Sequence, residues 1–467
     1  MMASAGDSVQ DTIVARATPR GASALSIVRL SGPEAISLVD AVFPARELTG
    51  LASHTAHVGY IGREDAWIDQ VVCTLFKAPS SATGEDIVEI SCHGGDVASD
   101  AVVRLMVEEG ARMAGPGEFT LRAFMNGKVD LAQAEAIGEL IHAQSQRAGR
   151  ISLAHLRGRF SAELEQIRED LIQLVSLLEL ELDFGEEDVA FADRERLESL
   201  LEAATSRLDA MTGSFRFGQA LHEGVRVVIV GKPNAGKSTL MNALLGYDRV
   251  IVSEIPGTTR DEVESHLEYE GVRFTFVDTA GRRETDDEIE AEGVRRSQEA
   301  ERGADLILHL VDLTADEIPA EMQKEIQAEV RAEELPRLVV GNKRDLVVDA
   351  SASTHLGMKA DFAISAEAMR IGTESVDALM TRIFDATVGS IGQAEEHQVV
   401  TSQRQQEHIR AASSAIQRVR VVMESGGSGD MISSDVREVI EQIGAITGEV
   451  TNEDILDRIF SQFCIGK

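Results

Sequence analysis

The first 125 residues contain short apolar runs followed by a stretch with helical spacing. Short apolar, β-branched runs predict strands, whereas apolar residues that repeat every third or fourth position predict helices. The predicted strands are Thr12 to Ala15, Leu25 to Leu30, Val71 to Phe76 and Ile87 to Ser91, and the predicted helix is Val97 to Glu109. We therefore expect residues 1–125 to form a mixed α+β domain.

Residues 126–222 and 393–467 carry the pattern of amphipathic helices, and the segment between them does not. Val399 to Met423 and Ser434 to Gly444 have helical spacing, as does Arg194 to Met211. One long helix is predicted from apolar residues spaced by three and four: Leu153, Leu156, Phe160, Leu164, Ile167, Leu171 and Leu174. The pattern predicts a helical domain interrupted by an inserted domain, residues 223–392, with crossings near Glu223 and Gln393.

The inserted segment opens with a strand, a glycine-containing loop and a helix. Val225 to Val230 is an apolar run interrupted only by Arg226, and the string Gly-Lys-Pro-Asn-Ala-Gly-Lys-Ser follows at 231–238. Gly231 and Gly236 allow backbone amides to approach a phosphate chain, Lys237 supplies charge at the β and γ phosphates, and Ser238 supplies a hydroxyl for Mg²⁺. This pattern predicts a nucleoside triphosphate site, whose loop also includes Asn234, Ala235 and Thr239.

A second pair of strings indicates which base is bound. Asn342, Lys343 and Asp345 follow the apolar run Arg337 to Gly341, and Ser365 and Ala366 lie further on. A carboxylate such as Asp345 can accept both the ring N–H and the exocyclic amine of guanine, and adenine offers no such donor pair. The chain is therefore predicted to bind GTP rather than ATP.

Two further strings predict the contacts to the metal ion and the γ-phosphate. Asp278, Thr279, Ala280 and Gly281 end the apolar run Phe274 to Val277, and Thr259 precedes them as a candidate ligand of the same Mg²⁺. Arg282 occupies the position at which Ras-type enzymes place the glutamine that orients water. Another group must position the nucleophile, and any carboxylate of the acidic stretch Glu284 to Glu292 could do so.

Composition limits the class of protein. The chain has 467 residues, three cysteines and a formal net charge of −34. This length fits about three domains, and the acidity excludes a generic nucleic-acid coat, which would need clustered Lys and Arg. Cys73, Cys92 and Cys464 are too few and too scattered for a disulfide framework or a metal site. Without an apolar leader or an uncharged long apolar stretch, we expect no membrane association and a reducing, cytoplasmic setting.

From Asp11 to Lys467 the sequence resembles one family, the bacterial and organellar tRNA-modification GTPases called MnmE or TrmE. Besides the nucleotide motifs, the resemblance rests on strings that other GTPases do not share. These strings are Asp11-Thr-Ile-Val-Ala, Thr83-Gly-Glu-Asp, His93-Gly-Gly, Pro116-Gly-Glu-Phe, Asn126-Gly-Lys-Val-Asp-Leu-Ala-Gln-Ala-Glu-Ala and Phe463-Cys-Ile-Gly-Lys. The resemblance implies a Ras-like P-loop GTPase domain inserted into a helical domain and preceded by an α+β folate-binding domain.

The resemblance also implies a one-carbon folate, 5,10-methylene-tetrahydrofolate or 5-formyl-tetrahydrofolate, bound by an N-terminal domain that dimerises the chain. The matching positions are Arg29, Glu89, Lys128 and Lys467. A carboxylate such as Glu89 can take the donor pair of a pterin ring, and cations suit the glutamyl tail. Taken alone, Arg29 and Glu89 are ordinary strand residues, so the resemblance carries this assignment.

In this family GTP hydrolysis depends on K⁺ and on contact between the nucleotide domains of two subunits. The resemblance places Asn234 at the ion, with Ser253, Ile255 and Thr258 closing around it, and makes Glu290 the carboxylate that positions water. A monovalent cation there would supply the charge that an arginine finger supplies elsewhere. The family usually carries a large aliphatic residue where this chain has Arg282.

The function implied by the resemblance is that of a K⁺-dependent GTPase acting on tRNA with a flavin-dependent partner that resembles MnmG (GidA). The pair would add an aminomethyl or carboxymethylaminomethyl group at C5 of the wobble uridine. Cys464 either reacts covalently or only lines the centre of the dimer; a prenylation box is a poor match, because Lys467 is not an accepted last residue. The alternative functions are a ribosome-assembly GTPase that binds RNA without folate chemistry, and a signalling switch that binds only protein.

Overall fold

The computed structural model describes residues 11–183, 194–246, 264–278, 303–314, 336–347, 362–372, 374–389, 395–425, 429–451 and 453–466. The chain forms two compact units. One consists of residues 1–138, 155–192 and 418–467, and the other of residues 139–154 and 193–417. No helix among the described residues is long and apolar enough to cross a membrane.

The first unit is built around a six-stranded sheet with the order β3-β4-β5-β2-β1-β6. Its strands are β1 Ile13–Arg16, β2 Leu25–Ser31, β3 Thr55–Arg63, β4 Ala66–Phe76, β5 Ile87–His93 and β6 Arg112–Met113. The pairs are antiparallel except for β1 with β6, which is parallel. Helices α1 Ala35–Asp40 and α2 Asp96–Glu109 pack on one face, and α3 Glu118–Met125 follows. This is the mixed domain that the apolar runs predict.

Helices complete this unit. They include α4 Leu131–His142, α6 Arg159–Asp183, α12 Gly429–Thr447 and α13 Glu453–Phe460. Helix α12 packs against α6, and Arg168 Nη2 lies 2.6 Å from Glu449 Oε2 just beyond the end of α12. The buried face of α6 includes Leu164, Ile167, Leu171 and Leu174, four of the positions that predict an amphipathic helix.

The single long helix predicted from Leu153 to Leu174 is wrong in one respect. Helix α5, Gln146–Leu156, ends before α6 begins at Arg159. Gly158 lies between them with φ +75°, a left-handed conformation that stops a helix and that glycine adopts without strain. The apolar spacing of three and four continues across this break, so periodicity alone does not reveal it.

The second unit contains the other six-stranded sheet, with the order β12-β11-β10-β7-β9-β8. Its strands are β7 Val225–Val230, β8 Glu264–Tyr269, β9 Val272–Asp278, β10 Leu306–Asp312, β11 Arg337–Asn342 and β12 Phe362–Ala363. All pairs are parallel except β8 with β9. The helices are α7 Arg194–Glu223, α8 Lys237–Leu245, α9 Ala366–Arg370, α10 Asp377–Thr387 and most of α11 Gln403–Glu424.

The parallel strands of this sheet place their carboxyl ends at one edge, where ligands of open α/β sheets bind. β7 lies between β9 and β10, so the loop that follows β7 begins near the middle of that edge. The loops after β9, β10 and β11 begin at the same edge. The predicted nucleotide motifs follow β7, β9 and β11, which explains how residues more than a hundred positions apart form one site.

Candidate nucleotide and folate sites

The glycine loop after β7 has the geometry of a phosphate cradle. Gly231 has φ +155°, and a Cβ there would lie 2.4 Å from the Leu310 carbonyl oxygen. Gly236 has φ +98°, and a Cβ there would lie 2.2 Å from Asn342 Nδ2. Both positions therefore exclude any side chain. Asn234, at the exposed tip, has φ 65°, a left-handed conformation that Asn tolerates better than most residues.

Helix α8 begins at Lys237, directly after the loop, so its N-terminal end lies at the cradle, as in phosphate-binding loops. The Lys237 ammonium is largely buried and donates to the carbonyl oxygens of Gly231 at 2.6 Å and Lys232 at 3.0 Å. It is thus held over the loop in which a phosphate chain would lie. Ser238 is exposed in the first turn, where its hydroxyl can serve a Mg²⁺ ion. Thr239 follows it in the same turn.

Asn342 connects three loops. Its side chain is 2% exposed. Its Nδ2 donates to the Ala235 carbonyl at 2.8 Å, and its Oδ1 accepts from the Ala366 backbone amide at 2.9 Å. The side-chain amide of Asn342 therefore ties the phosphate loop to the Ser365–Ala366 loop. The neighbouring Ser365 caps α9 by accepting from the Ala368 amide at 3.1 Å.

Lys343 and Asp345 flank the predicted base position. Lys343 has φ 65°, and its ammonium lies 2.5 Å from Asp312 Oδ2 at the end of β10. Burial opposes ionisation of Asp312, but hydrogen bonds from Lys343 and Thr314 outweigh it and lower the pKa of this carboxyl. Asp345 is exposed, as a carboxylate that accepts from a bound base must be before the ligand arrives. Sequence reasoning missed Asp312, which no motif marks.

Several predicted residues lie outside the described part of the chain. These are Ser253, Ile255, Thr258, Thr259, Thr279, Ala280, Gly281, Arg282 and Glu290, together with Lys467. Asp278 is described as the last residue of β9, and its backbone pairs with Ile229 of β7. This pairing places Asp278 beside the strand that leads into the phosphate loop, which suits a role near the Mg²⁺ ion.

The predicted folate residues Arg29 and Glu89 face each other across β2 and β5. Arg29 Nη2 lies 2.7 Å from Glu89 Oε1, and the two side chains are about a quarter exposed. Arg29 Nη1 also approaches the Gly466 carbonyl at 3.5 Å, and its guanidinium lies 5.7 Å from the centre of the Phe119 ring. Gly466, 437 positions further along the chain than Arg29, therefore lies beside the Arg29–Glu89 pair.

The C-terminal tail is seated on the same domain. Ile465 forms a bridge with Pro116, the Gly117 amide donates to the Cys464 carbonyl at 3.4 Å, and the Cys464 side chain is exposed. A Cβ on Gly466 would lie 2.3 Å from the Arg16 carbonyl oxygen, so only glycine fits at this position of the tail. Lys128 lies in a different contact, donating to the Pro79 carbonyl at 3.0 Å.

A charged network includes residues of three of the sequence strings. Arg122, 6% exposed, is held by Asp11 at 2.5 Å, Glu118 at 3.1 Å and Glu85 at 3.2 Å. Arg112 adds a second cation, 2.5 Å from both Asp11 and Glu118. Burial opposes ionisation of Asp11 and Glu118, but the arginines lower the pKa of both carboxyls. Asp11, Glu85 and Glu118, from the strings beginning at Asp11, Thr83 and Pro116, therefore have an observed structural role.

A parallel sheet with a Gly-Lys-Ser cradle after one strand and Asn-Lys-x-Asp after another defines the class: this is a P-loop GTPase. Two family models together match most of the chain. The "GTP-binding protein TrmE N-terminus" matches residues 12–128, and the "MnmE helical domain" matches residues 131–464. A protein of Salinibacter ruber called "tRNA modification GTPase MnmE" is 50% identical over 98% of this chain and 100% of its own length. The chain belongs to the MnmE (TrmE) family.

A second relative and one solved structure are also similar to this chain. The "tRNA modification GTPase MnmE" of Cytophaga hutchinsonii is 44% identical over 98% of each chain. A crystal structure of Era from Aquifex aeolicus is 26% identical and covers 41% of this chain and 66% of its own, with a TM-score of 0.27. The predicted fold class, a Ras-like domain with a helical domain and an α+β N-terminal domain, is confirmed by the profiles and the observed sheets. The domain boundaries and the roles of single site residues stay predictions.

Proposed function

We propose that this GTPase uses K⁺ and Mg²⁺ to hydrolyse GTP and, with an FAD-containing partner similar to MnmG, modifies C5 of the wobble uridine of certain tRNAs. The observation that carries this proposal is the combination, in one chain, of a guanine-nucleotide cradle and a second, separate polar site on the N-terminal sheet. Full-length similarity to relatives named for tRNA modification supports the choice of substrate. The cytoplasm is the compartment that fits this role.

The nucleotide site supports a cation-assisted mechanism. Asn234 is exposed at the tip of the phosphate loop, so its side-chain oxygen is available to a monovalent ion beside the phosphates. Such an ion would supply positive charge to the developing transition state. Glu290 would orient the attacking water, and Ser238 with Thr259 would hold Mg²⁺. The residues of the cradle bind and orient GTP, and Lys237 neutralises its phosphate charge.

The test compares GTP hydrolysis in K⁺ and in Na⁺ at equal ionic strength, with wild type and Asn234→Ala. We expect a strong preference for K⁺ that the substitution removes. Glu290→Ala should keep nucleotide affinity and lose hydrolysis, because the residue acts on water and not on binding. Equal rates in the two salts would contradict the cation mechanism, and an unchanged rate for Glu290→Ala would remove that residue from its role.

The N-terminal site supports binding of a one-carbon folate. Glu89 presents a carboxylate that is partly exposed and already oriented by Arg29, which suits the donor pair of a pterin ring. A hydrogen bond to a charged group contributes about 1.5–3 kcal/mol, so Glu89→Gln should weaken binding of 5-formyl-tetrahydrofolate by about 10- to 150-fold. Glu64→Gln, in the exposed turn between β3 and β4, is the matched control. Calorimetric titration gives both affinities, and equal values for the two variants would contradict the site.

A homodimer through the N-terminal domain is also proposed. Strand β3 lies at the end of the described sheet, and Val58, Tyr60 and Trp67 on β3 and β4 are 66%, 55% and 48% exposed. An exposed apolar cluster beside an edge strand favours association with another chain. Tyr60→Lys should convert the dimer to a monomer in light scattering after gel filtration. A wild-type chain that elutes as a monomer would contradict the proposal.

A further inference from the structure

A hydrogen-bonded pair, Asp69 and His93, joins a half-buried acid to an exposed base. The Asp69 side chain is 12% exposed, whereas that of His93 is 72% exposed. Two other histidines that lie beside carboxylates differ: His222 is itself only 14% exposed next to Glu139, and His397 lies beside a Glu395 that is 76% exposed. A ring that is fixed by a half-buried carboxylate and yet open to solvent is an arrangement that suits a general base.

The geometry sets the tautomer of the ring. Asp69 Oδ1 lies 2.7 Å from His93 Nδ1, and Asp69 Oδ2 accepts from the His93 backbone amide at 2.7 Å. Burial opposes ionisation of Asp69, but the His93 ring and the amides of His93 and Gln70 outweigh it and lower the pKa of this carboxyl. An ionised Asp69 only accepts hydrogen bonds, so Nδ1 carries the ring proton. The basic lone pair is then on Nε2.

The backbone around His93 keeps this ring in place. His93 ends β5, and Asp69 lies on the neighbouring β4, so the sheet holds both residues. Gly94 and Gly95 then turn the chain into α2; a Cβ on Gly94 would lie 1.8 Å from the Ser23 carbonyl oxygen, and Gly95 has φ +125°. The glycines of the string His93-Gly-Gly are therefore required by the turn, while the histidine is not.

The charged groups nearby are paired among themselves. Arg16 on β1 donates to Asp96, the first residue of α2, at 2.7 Å. The positive charges of Arg16 and Arg20 lower the pKa of Asp96. The thiol of Cys92, next to His93, is kept protonated because burial and the charge of Asp69 raise its pKa. Asp96 is thus paired with Arg16, and Asp69 is the carboxylate that contacts the His93 ring.

We propose that Asp69 and His93 form a proton-transfer dyad that removes the hydrogen at C5 of the target uridine. The inference rests on the proposed function, because any substitution at C5 must release that hydrogen as a proton. The C5=C6 electron pair forms the new C5–C bond to an electrophilic one-carbon donor, and one bond from that carbon to its nitrogen breaks with the electron pair kept by the nitrogen. His93 Nε2 then takes the C5 proton, and the C5–H electron pair restores the C5=C6 double bond. Asp69 is a positioning residue that stabilises the resulting imidazolium.

The test uses tRNA with tritium at C5 of the wobble uridine, incubated with the full chain and its flavoprotein partner. Tritium released to water reports cleavage of the C5–H bond. General-base catalysis contributes about 10²- to 10⁴-fold, so His93→Gln should slow release by at least about 100-fold. His57→Gln is the matched control, because His57 lies on the same sheet and pairs with the Thr55 hydroxyl instead of a carboxylate. GTP hydrolysis and folate affinity should stay unchanged in both variants.

Asp69→Asn is a second test variant, in which the imidazole of His93 is unchanged. It should slow tritium release and change the pH dependence of that rate, because the ring loses its anionic partner; a purely structural role would leave the shape of the pH profile unaltered. Release by His93→Gln at the wild-type rate, or an Asp69→Asn profile that matches wild type, would overturn the dyad. Release by neither wild type nor variants, with GTP hydrolysis intact, would instead overturn the proposed C5 chemistry.

Discussion

Replacement of Asn342 by alanine should disorganise the nucleotide site before any ligand binds. The side chain makes two buried hydrogen bonds, to the Ala235 carbonyl at 2.8 Å and from the Ala366 amide at 2.9 Å. A buried group that loses its partner costs about 1–3 kcal/mol, so the two groups together cost about 2–6 kcal/mol. The substitution removes a side chain that joins the phosphate loop to the Ser365–Ala366 loop.

Two measurements check this expectation. Hydrogen exchange in the nucleotide-free protein should show loss of protection at the Ala366 amide, because its acceptor is gone. Fluorescence titration should show a GDP Kd that rises by about 30-fold or more, since binding must reorder both loops and each 1.4 kcal/mol is a factor of ten. The full chain is used for both.

Asp345→Asn is the control for base recognition. Asp345 is exposed and makes no described contact with the phosphate loop, so Ala366 should keep its protection. Guanine affinity should nevertheless fall, and affinity for xanthosine diphosphate should rise, because the new amide donates to the carbonyl oxygen that replaces the amino group of guanine. If Asn342→Ala keeps both the protection of Ala366 and the GDP Kd within a factor of two, the assignment of Asn342 as the link between the loops is refuted.

Three further predictions concern the same unit. Asp312→Asn should raise the GDP Kd by a few-fold to about tenfold, because Lys343 loses the carboxylate that holds its ammonium; an unchanged dissociation rate of a fluorescent GDP analogue would contradict this. Burial, with Arg337 and Lys237 nearby, lowers the pKa of His309 to about 4. The unfolded chain takes up this proton below about pH 6.5 and the folded chain only near pH 4. The free energy of unfolding should therefore fall by up to about 3 kcal/mol as pH drops through this window. In His309→Asn, the free energy measured by urea unfolding should depend less on pH across the same window. Gly271→Ala should destabilise the β8–β9 hairpin by about 1–3 kcal/mol, since Gly271 has φ +80° and a Cβ there would lie 2.6 Å from the Arg147 Cβ; an equal thermal midpoint would refute the reasoning.

The strands and helices were predicted best where side chains repeat with one period over a whole element. Val225–Val230 has the same bounds in the sequence prediction and in the structure, and β2 and β5 differ from their predictions only at the carboxyl end. Strand β3, Thr55–Arg63, was not predicted, because it contains His57, Gly59 and polar residues and has its exposed side chains at the sheet edge. Edge strands bury less apolar surface, so their sequences carry a weaker signal.

The two sites differ in how far the sequence predicts them. A phosphate loop is one continuous segment whose backbone conformation needs glycine at fixed positions. Its motif can therefore be recognised from consecutive residues of the sequence. The Arg29–Glu89 pair is made by the register of β2 against β5, and Gly466 joins it from the far end of the chain. No regular spacing in the sequence predicts the contacts among Arg29, Glu89 and Gly466. Only resemblance to a family therefore indicates this site.

The sequence by itself determined the guanine-nucleotide chemistry, the two helical segments around it and the membership of the MnmE family, because these depend on local strings and periodicities. Only the tertiary structure decided which side chains act on one another. It turned Asn342 inward as a link between loops, placed Asp312 against Lys343, and put the half-buried Asp69 beside the exposed His93. Such pairs depend on strand register and on which face of an element is buried, and both are settled by packing of the whole chain rather than by neighbours in sequence.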